Sequence, residues 1–470
     1  MAIDDQPRSV TGGPVSGRLG QWSWAFFDWA NQPYFTLITT FIFAPYFVTT
    51  VVGDAIKGQE YWGYGQAAAG LFIALLSPVL GAIADAGGPR KPWIFGFQAI
   101  CITFCAMLWL AMPGADGEQV FLILVAVVLA SLAAEFSIVF VNAMLPSLTT
   151  EEKLGRLSGY AWALGYVGGL LTLFIVLFAF TLPETPLFGL DKAANEHDRI
   201  VGPLSAVWIF IFILPLAFFT PDLGRTKLSK SQMVKIGLAD LWVTLRQVSH
   251  YRNVMLFLVA RMIYFDGLTA IFAFGGIYAA GIFGWTTIDL GIFAVIVTTM
   301  AAIGAFVGGW LDDRIGSKKT IILAVIGLVV ATVGVISVTT EDLGGGQRAD
   351  TIFFAFSYTT EIAGDGGMFE TPAEWVFLVF GMLIGISGGP AQAASRTLVS
   401  RLSPPALVGK FYGLYALSGK ATAFIAPFTV AAITGIYDSQ RAGISIIIAF
   451  LVVGLLLLLP VRERRTEAPE

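Results

Sequence analysis

Gly81-Ala-Ile-Ala-Asp85-Ala-Gly-Gly88-Pro-Arg90-Lys91 and Gly309-Trp-Leu-Asp-Asp313-Arg-Ile-Gly316-Ser-Lys318-Lys319 are near-copies set 228 positions apart. Each places Gly four before an Asp and Gly three after it, follows with two basic residues, and joins two long apolar runs. A polar turn used twice between hydrophobic segments implies a duplicated membrane protein whose halves share one task.

The composition agrees: 56% of the 470 residues are hydrophobic and only 13% charged, which excludes a soluble chain. Apolar runs long enough for a ~30 Å hydrocarbon core recur throughout. They predict twelve helices at 22–48, 61–84, 93–112, 119–146, 157–182, 204–220, 254–284, 287–311, 320–339, 375–401, 407–436 and 441–461. The organisation read from this is an N-terminal six-helix bundle (1–220), a cytosolic linker (221–252) and a C-terminal bundle (253–470). The first run carries Asp28, Asn31 and Gln32 and has no small-residue cleavage site, so it reads as a retained helix.

Charge sets the orientation. With both termini in the cytosol, twenty Lys and Arg fall in inner loops and tails and five in outer loops, at Lys57, Lys192, Arg199, Arg348 and Arg441. That bias is the positive-inside pattern. Cys101 and Cys105, one helical turn apart, are poorly placed for a disulfide and too few for a metal site, so they read as packing residues. No phosphate-binding loop, metal cluster or nucleophile–base set stands out, so neither an enzyme nor a cofactor is expected. The basic linker reads as an amphipathic connector, without a nucleic-acid partner.

The repeat extends beyond the turns. Gly155-Arg156-x-x-Gly159-x-x-x-x-x-Gly165 is echoed by Gly409-Lys410-x-x-Gly413-x-x-x-x-x-Gly419, and Phe27-Asp28 by Phe265-Asp266. The paired turns resemble the Gly-x-x-x-Asp-x-x-Gly-x-Arg-Lys signature of the major facilitator superfamily. Trp24-Ala-Phe-Phe-Asp28-Trp29-Ala30-Asn31, Asn142-Ala-Met-Leu-Pro146, Ser395-Arg396 and Leu417-Ser-Gly-Lys420 resemble its UMF1 branch, whose eukaryotic relatives are Atg22-like vacuolar amino-acid effluxers. The resemblance implies an all-α membrane protein, twelve helices in two pseudo-symmetric six-helix bundles. It also implies a bacterial cytoplasmic-membrane transporter, for an amino-acid-like solute at the efflux end of the family. The outer segments 183–203 and 340–374 are longer than this fold needs and read as packed caps. The second holds Phe353, Phe354, Phe356 and Tyr358 among Glu361, Asp365, Glu370 and Glu374.

Six ionisable residues lie inside the apolar spans: Asp28, Glu135, Arg261, Asp266, Arg396 and Lys420. Each costs at least ~2.5–3.5 kcal/mol at the bilayer centre, so they are expected to face a wet cavity or one another. Asp28, Asn31, Gln32 and Phe35 share one face of helix one, where Pro33 predicts a kink. Glu135 and Asn142 share a face of helix four, and Gln392 and Arg396 are one turn apart on helix ten. Helix eleven offers Tyr412, Tyr415 and Lys420. Under the 254-residue shift of the second repeat, Asn142 superposes on Arg396 and Tyr166 on Lys420. The halves have diverged toward acid in one and base in the other. Such a set suits a zwitterion, its carboxylate on Arg396 or Lys420 and its ammonium on Asp28 or Glu135.

The predicted substrate or coupling residues are therefore Asp28, Asn31, Glu135, Asn142, Tyr166, Asp266, Gln392, Arg396, Tyr415 and Lys420. Asp85, Arg90, Lys91, Arg261, Asp313, Lys318 and Lys319 are assigned to gating. The expected partners are a small molecule, protons and the bilayer, acting on a monomer. A drug or lipid exporter on the same fold, or a membrane receptor, is the alternative.

Overall fold

The computed structural model describes residues 8–9, 11–85, 88–222, 224, 232, 235, 239, 251–342, 348–352, 360–361, 369, 371–402, 411, 414–415 and 418–463. Hydrocarbon leaves no water for backbone N–H and C=O groups, so the apolar runs close their hydrogen bonds as helices. In chain order these are α1 (Arg18–Val51), α2 (Ala55–Asp85), α3 (Lys91–Met107), α4 (Gly117–Leu148), α5 (Glu151–Ile175) and α6 (Glu196–Phe219). Then come α7 (Arg252–Phe283), α8 (Thr287–Ile315), α9 (Ser317–Ser337), α10 (Pro372–Leu402), α11 (Ile425–Tyr437) and α12 (Gln440–Leu458). Among the described residues ten helices are long and apolar enough to cross a membrane. The second and eleventh predicted spans correspond to α2, whose stretch 67–84 is uncharged and apolar, and to a span that is interrupted.

The chain divides into two compact units, Met1–Val52 with Leu71–Val243, and Gly53–Gly70 with Thr244–Glu470. The same helix pairs pack in both: α1 on α5 and α6, and α3 on α4 and α6, against α7 on α11 and α12, and α9 on α10 and α12. The first half of α2 belongs to the second unit, where Gln59 Nε2 donates to Thr434 Oγ1 at 2.8 Å and to the Gln440 carbonyl at 3.2 Å. Gly63 lies against Ala431 there.

Proline decides where these helices depart from regularity, because it removes one N–H and frees the carbonyl four residues back. At Pro33 the freed carbonyl is that of Trp29, and the Trp208 indole of α6 donates to it at 3.0 Å. Pro33 lies inside the helix, which passes beyond it into a π-helical run, Tyr34–Phe41. Further π-helical runs occur at Phe47–Val51 in α1 and at Val176–Thr181 after α5. Threonine hydroxyls reach back to carbonyls there: Thr39 and Thr40 both to Phe35, at 2.9 and 2.8 Å, and Thr181 to Val176 at 3.2 Å. In α10, Pro390 frees the Ile386 carbonyl, and Gly304 of α8 packs directly on it.

One expectation fails. The span 407–436 was read as continuous, but helical backbone at Phe411, Leu414, Tyr415 and Ser418 gives way to turns at 419–424 before α11 restarts at Ile425. Gly419 is a poor helix former, and Pro427 falls in the first turn of the restarted helix, where no N–H is required.

The segment between α9 and α10 contains a small antiparallel sheet in the order β1-β2-β3: β1 (Val338–Asp342), β2 (Arg348–Ile352) and β3 (Thr360–Glu361). Its register pairs Val338 with Ile352 and Asp342 with Arg348. Phe353, Phe354, Phe356, Tyr358, Asp365 and Glu370 lie outside the described residues. The segment before α6 is packed as a cap: Lys192 Nζ donates to the Thr181 carbonyl at 2.7 Å, and the buried Arg199 stacks on Trp109 and donates to its carbonyl.

Candidate functional site

In the first unit α5 fits against α1 through glycines. A Cβ at Gly165 would stand 3.4 Å from that of Asp28, one at Gly168 3.0 Å from the Trp29 carbonyl, and one at Gly169 2.6 Å from Thr36 Oγ1. This is the small-residue contact by which membrane helices approach closely, and it partly buries Asp28. Asn31 is only 2% exposed. Its Oδ1 accepts from Gln98 Nε2 of α3 at 3.3 Å, and the same nitrogen donates to Ser137 Oγ of α4 at 2.6 Å. Asn31 therefore serves a network inside its unit. One level outward, Tyr34 Oη meets Ser131 Oγ at 2.6 Å, and Cys101 and Cys105 are buried free thiols with sulfurs 3.9 Å apart.

Glu135 is half-buried, whereas Asn142 and Tyr166 are exposed. The Tyr166 ring leans on Trp162 of the same helix at 6.1 Å between centroids. The helical spacing did not reveal Gln98, which bonds Asn31 of α1 67 residues away, or Ser137, which bonds Gln98 39 residues away.

In the second unit α7 carries two buried charges, Arg261 and Asp266, 5% and 4% exposed. Arg261 Nη1 donates to the Tyr415 carbonyl and to Ser418 Oγ, both at 2.8 Å. Its guanidinium lies 3.6 Å from the Tyr415 ring centre and 4.6 Å from that of Phe265. Desolvated cation–π contacts of this kind contribute about 2 kcal/mol or more. Among the described residues no carboxylate comes within 4 Å of Arg261. Asp266 sits beside the Thr422 hydroxyl and feels the Arg261 charge. Tyr264 Oη meets Ser395 Oγ at 2.6 Å, linking α7 to α10. The predicted Arg396 is exposed, Gln392 is half-buried, and Lys420 lies in the interruption of the eleventh span.

The repeated turns resolve into one device used twice. After α6, the Asp222 carboxylate accepts the Arg90 and Lys91 amides at 2.9 and 3.0 Å, and Lys91 Nζ donates to the Ala217 carbonyl at 2.8 Å. After α12, the Glu463 carboxylate accepts the Ser317 and Lys318 amides at 3.1 and 2.9 Å, and Lys318 Nζ donates to the Leu459 carbonyl at 2.7 Å. An acid at each helix N-terminus and a lysine at the facing C-terminus complement both macrodipoles. The second copy adds Arg401, which bridges Asp312 at 3.1 Å and Glu463 at 2.9 Å. Partial burial works against the Glu463 charge, but Arg401 and the two amides outweigh it and hold its carboxyl below the ordinary 4.5.

Asp222, Asp312, Arg401 and Glu463 were not singled out from sequence. An acid just beyond the last helix of each half was the available signal. The side chains of Asp85 and Asp313 and all of Gly409, Lys410, Tyr412 and Gly413 lie outside what is described, and Lys319 is exposed.

Helices of this number and pairing make a multi-pass membrane protein of the major facilitator fold. Solved structures share it: a mutant form of the nucleoside transporter NupG aligns with a TM-score of 0.62 at 12% identity over 94% of this chain and 98% of that one. A D-xylose-proton symporter aligns at 0.61 and 12%, over 94% and 96%. The model for vacuole effluxer Atg22-like proteins matches residues 47–368 and 366–468, and the chain belongs to that family. The MFS-type transporter YxiO of Bacillus subtilis (strain 168), itself described as uncharacterized, is 23% identical over 445 residues, 94% of each chain. Autophagy-related protein 22-2 of Emericella nidulans is 24% identical over 336 residues, 67% of this chain. The matched region spans about half, 51%, of that fungal protein.

Proposed function

We propose that the protein moves a small zwitterionic, amino-acid-like solute across a bacterial cytoplasmic membrane by alternating access, coupled to protons. One observation carries this reading. Arg261 and Asp266 are buried in a membrane helix of the second unit, with no ion pair between them. Charges kept in hydrocarbon at a cost of several kcal/mol mark a pathway for polar solute. Asp28 and Glu135 in the first unit and Arg396 and Lys420 in the second extend the same balance of acid and base. A cavity for lipophilic drugs or lipids would be apolar, which makes the exporter reading the weaker one. Proton coupling is supported by Asp28 and Asp266, carboxylates placed inside membrane helices, where acids mark proton relays.

Uptake into proteoliposomes tests the proposal. Radiolabelled neutral amino acids are expected to accumulate under an imposed pH gradient, while a sugar and a nucleoside do not. Asp28→Asn and Glu135→Gln are expected to keep counterflow exchange and lose the response to the gradient. A full response in both variants would refute the coupling, and lipophilic cations as the sole substrates would refute the substrate class.

A further inference from the structure

The interruption at 419–424 lies opposite two buried charges of α7. Arg261 grips the last helical turn before it, through the Tyr415 carbonyl and Ser418 Oγ. Asp266 stands beside Thr422 within it. Five residues on one helix separate Arg261 from Asp266, a rise of about 7.5 Å and a turn of about 140°. The two charges therefore address different levels of the interruption and do not neutralise each other. A third element closes the place: Gly70 of α2 fits so tightly that a Cβ there would stand 2.7 Å from the Phe424 nitrogen.

Irregular backbone at membrane depth is tolerated only where it is buried in protein or lines a cavity. Here the backbone makes short turns, Ala423 N to the Lys420 carbonyl at 3.3 Å and Ile425 N to the Thr422 carbonyl at 2.8 Å. Arg261 Nε, buried at this place, has no hydrogen-bond partner. The Thr422 hydroxyl faces the Asp266 carboxylate. A desolvated donor left unpaired costs about 1–3 kcal/mol, more when it is charged, so this arrangement calls for an occupant.

We propose that the interruption of the eleventh span is a subsite for the α-amino and α-carboxyl groups of an amino acid, contained within the second unit. The carboxylate accepts from Arg261 Nε–H, and the ammonium donates to Asp266 and Thr422 Oγ1. Tyr415 and Phe265 fix the plane of the guanidinium, and Ser418 fixes its direction. A fixed positive and a fixed negative group held apart in low dielectric favour a ligand that is itself a dipole and brings both charges together. A carboxylic acid or an amine alone would leave one protein charge uncompensated. Arg261 thus becomes a ligand-binding residue where the sequence had assigned it to a gate. The subsite rests on the reading of the protein as a transporter of zwitterions.

The test is binding to the full-length protein purified in nanodiscs, measured by calorimetry. The probes are neutral α-amino acids, the corresponding amino-acid amides and the corresponding N-acetyl amino acids. Wild type is expected to bind amino acids and neither derivative. Arg261→Gln should weaken amino-acid binding by about tenfold or more while amide binding improves. Asp266→Asn should weaken it similarly while N-acetyl amino acid binding improves. Arg261→Lys keeps the charge and guards against a folding defect. A second readout is alkylation of Thr422→Cys in a Cys101→Ala, Cys105→Ala background, which amino acids but not amides should slow. Wild type that binds no amino acid overturns the transporter reading and the subsite with it. Wild type that binds, together with unchanged variants or an unprotected cysteine, overturns the subsite alone.

Discussion

Pro33 strips the Trp29 carbonyl of its helical donor, and the Trp208 indole replaces that donor from another helix. Trp208→Phe keeps an aromatic ring on Trp29 and deletes only the N–H. We expect it to lower stability by about 1–3 kcal/mol, the cost of an unsatisfied buried acceptor. An unchanged melting temperature in detergent would show that the bond is dispensable. Glu463 carries a pH signature. Its folded pKa is depressed, so its contribution is fully present above the unfolded value and is lost as pH falls through the folded one. Glu463→Gln is expected to melt below wild type near neutral pH, and the gap should narrow as pH falls below the ordinary 4.5. A gap constant across that range would mean that the charge is not what binds Ser317 and Lys318. At this scale the sequence showed which residues are out of place in hydrocarbon, Asp28, Arg261 and Asp266 among them. It did not show their partners, because Arg261 finds Ser418 157 residues away and Gln98 finds Asn31 67 away.

Helices α8 and α10 approach through glycine and proline. Gly304 rests on the carbonyl that Pro390 releases, where an added Cβ would collide with the Ile386 oxygen, and Gly308 rests on the Pro390 ring. Gly304→Val is expected to force the pair apart at a cost of about 1–3 kcal/mol or more. It should appear as a lower melting temperature and a broadened size-exclusion peak. Gly275→Ala on α7, where nothing lies within 4 Å, is the control and should be near neutral. If Gly304→Val behaved like the control, α8 and α10 would not depend on that contact. Run length and composition were enough to find the helices, since each span must be apolar along its own length. The interruption at 419–424 escaped because the residues there are apolar enough to pass for helix. Gly419 and Pro427 mark it only once α7 is seen to supply the bonds that regular helix would have made.

Duplication governs the whole molecule: each unit repeats the same helix pairings, and each ties its third helix to its sixth with an acid and a lysine. The excess of Lys and Arg in alternate loops predicts that both chain ends face the cytosol. In intact cells, Ala193→Cys in the segment before α6 should react with a membrane-impermeant maleimide, and Arg462→Cys beyond α12 should react only after permeabilisation. The reverse pattern would invert the assigned topology. The repeated Gly–Asp–Gly–basic turn was enough to establish a duplicated, many-spanning membrane chain, because the bilayer imposes its demand on every span separately and writes it into local composition. Tertiary structure alone decided that the turn is pinned by Asp222 and Glu463, that Asn31 is held by Gln98, and that Arg261 grips the end of an interrupted helix. Those bonds depend on which helices cross and at what depth, and the crossing is set by glycines and prolines whose partners lie far away in the chain.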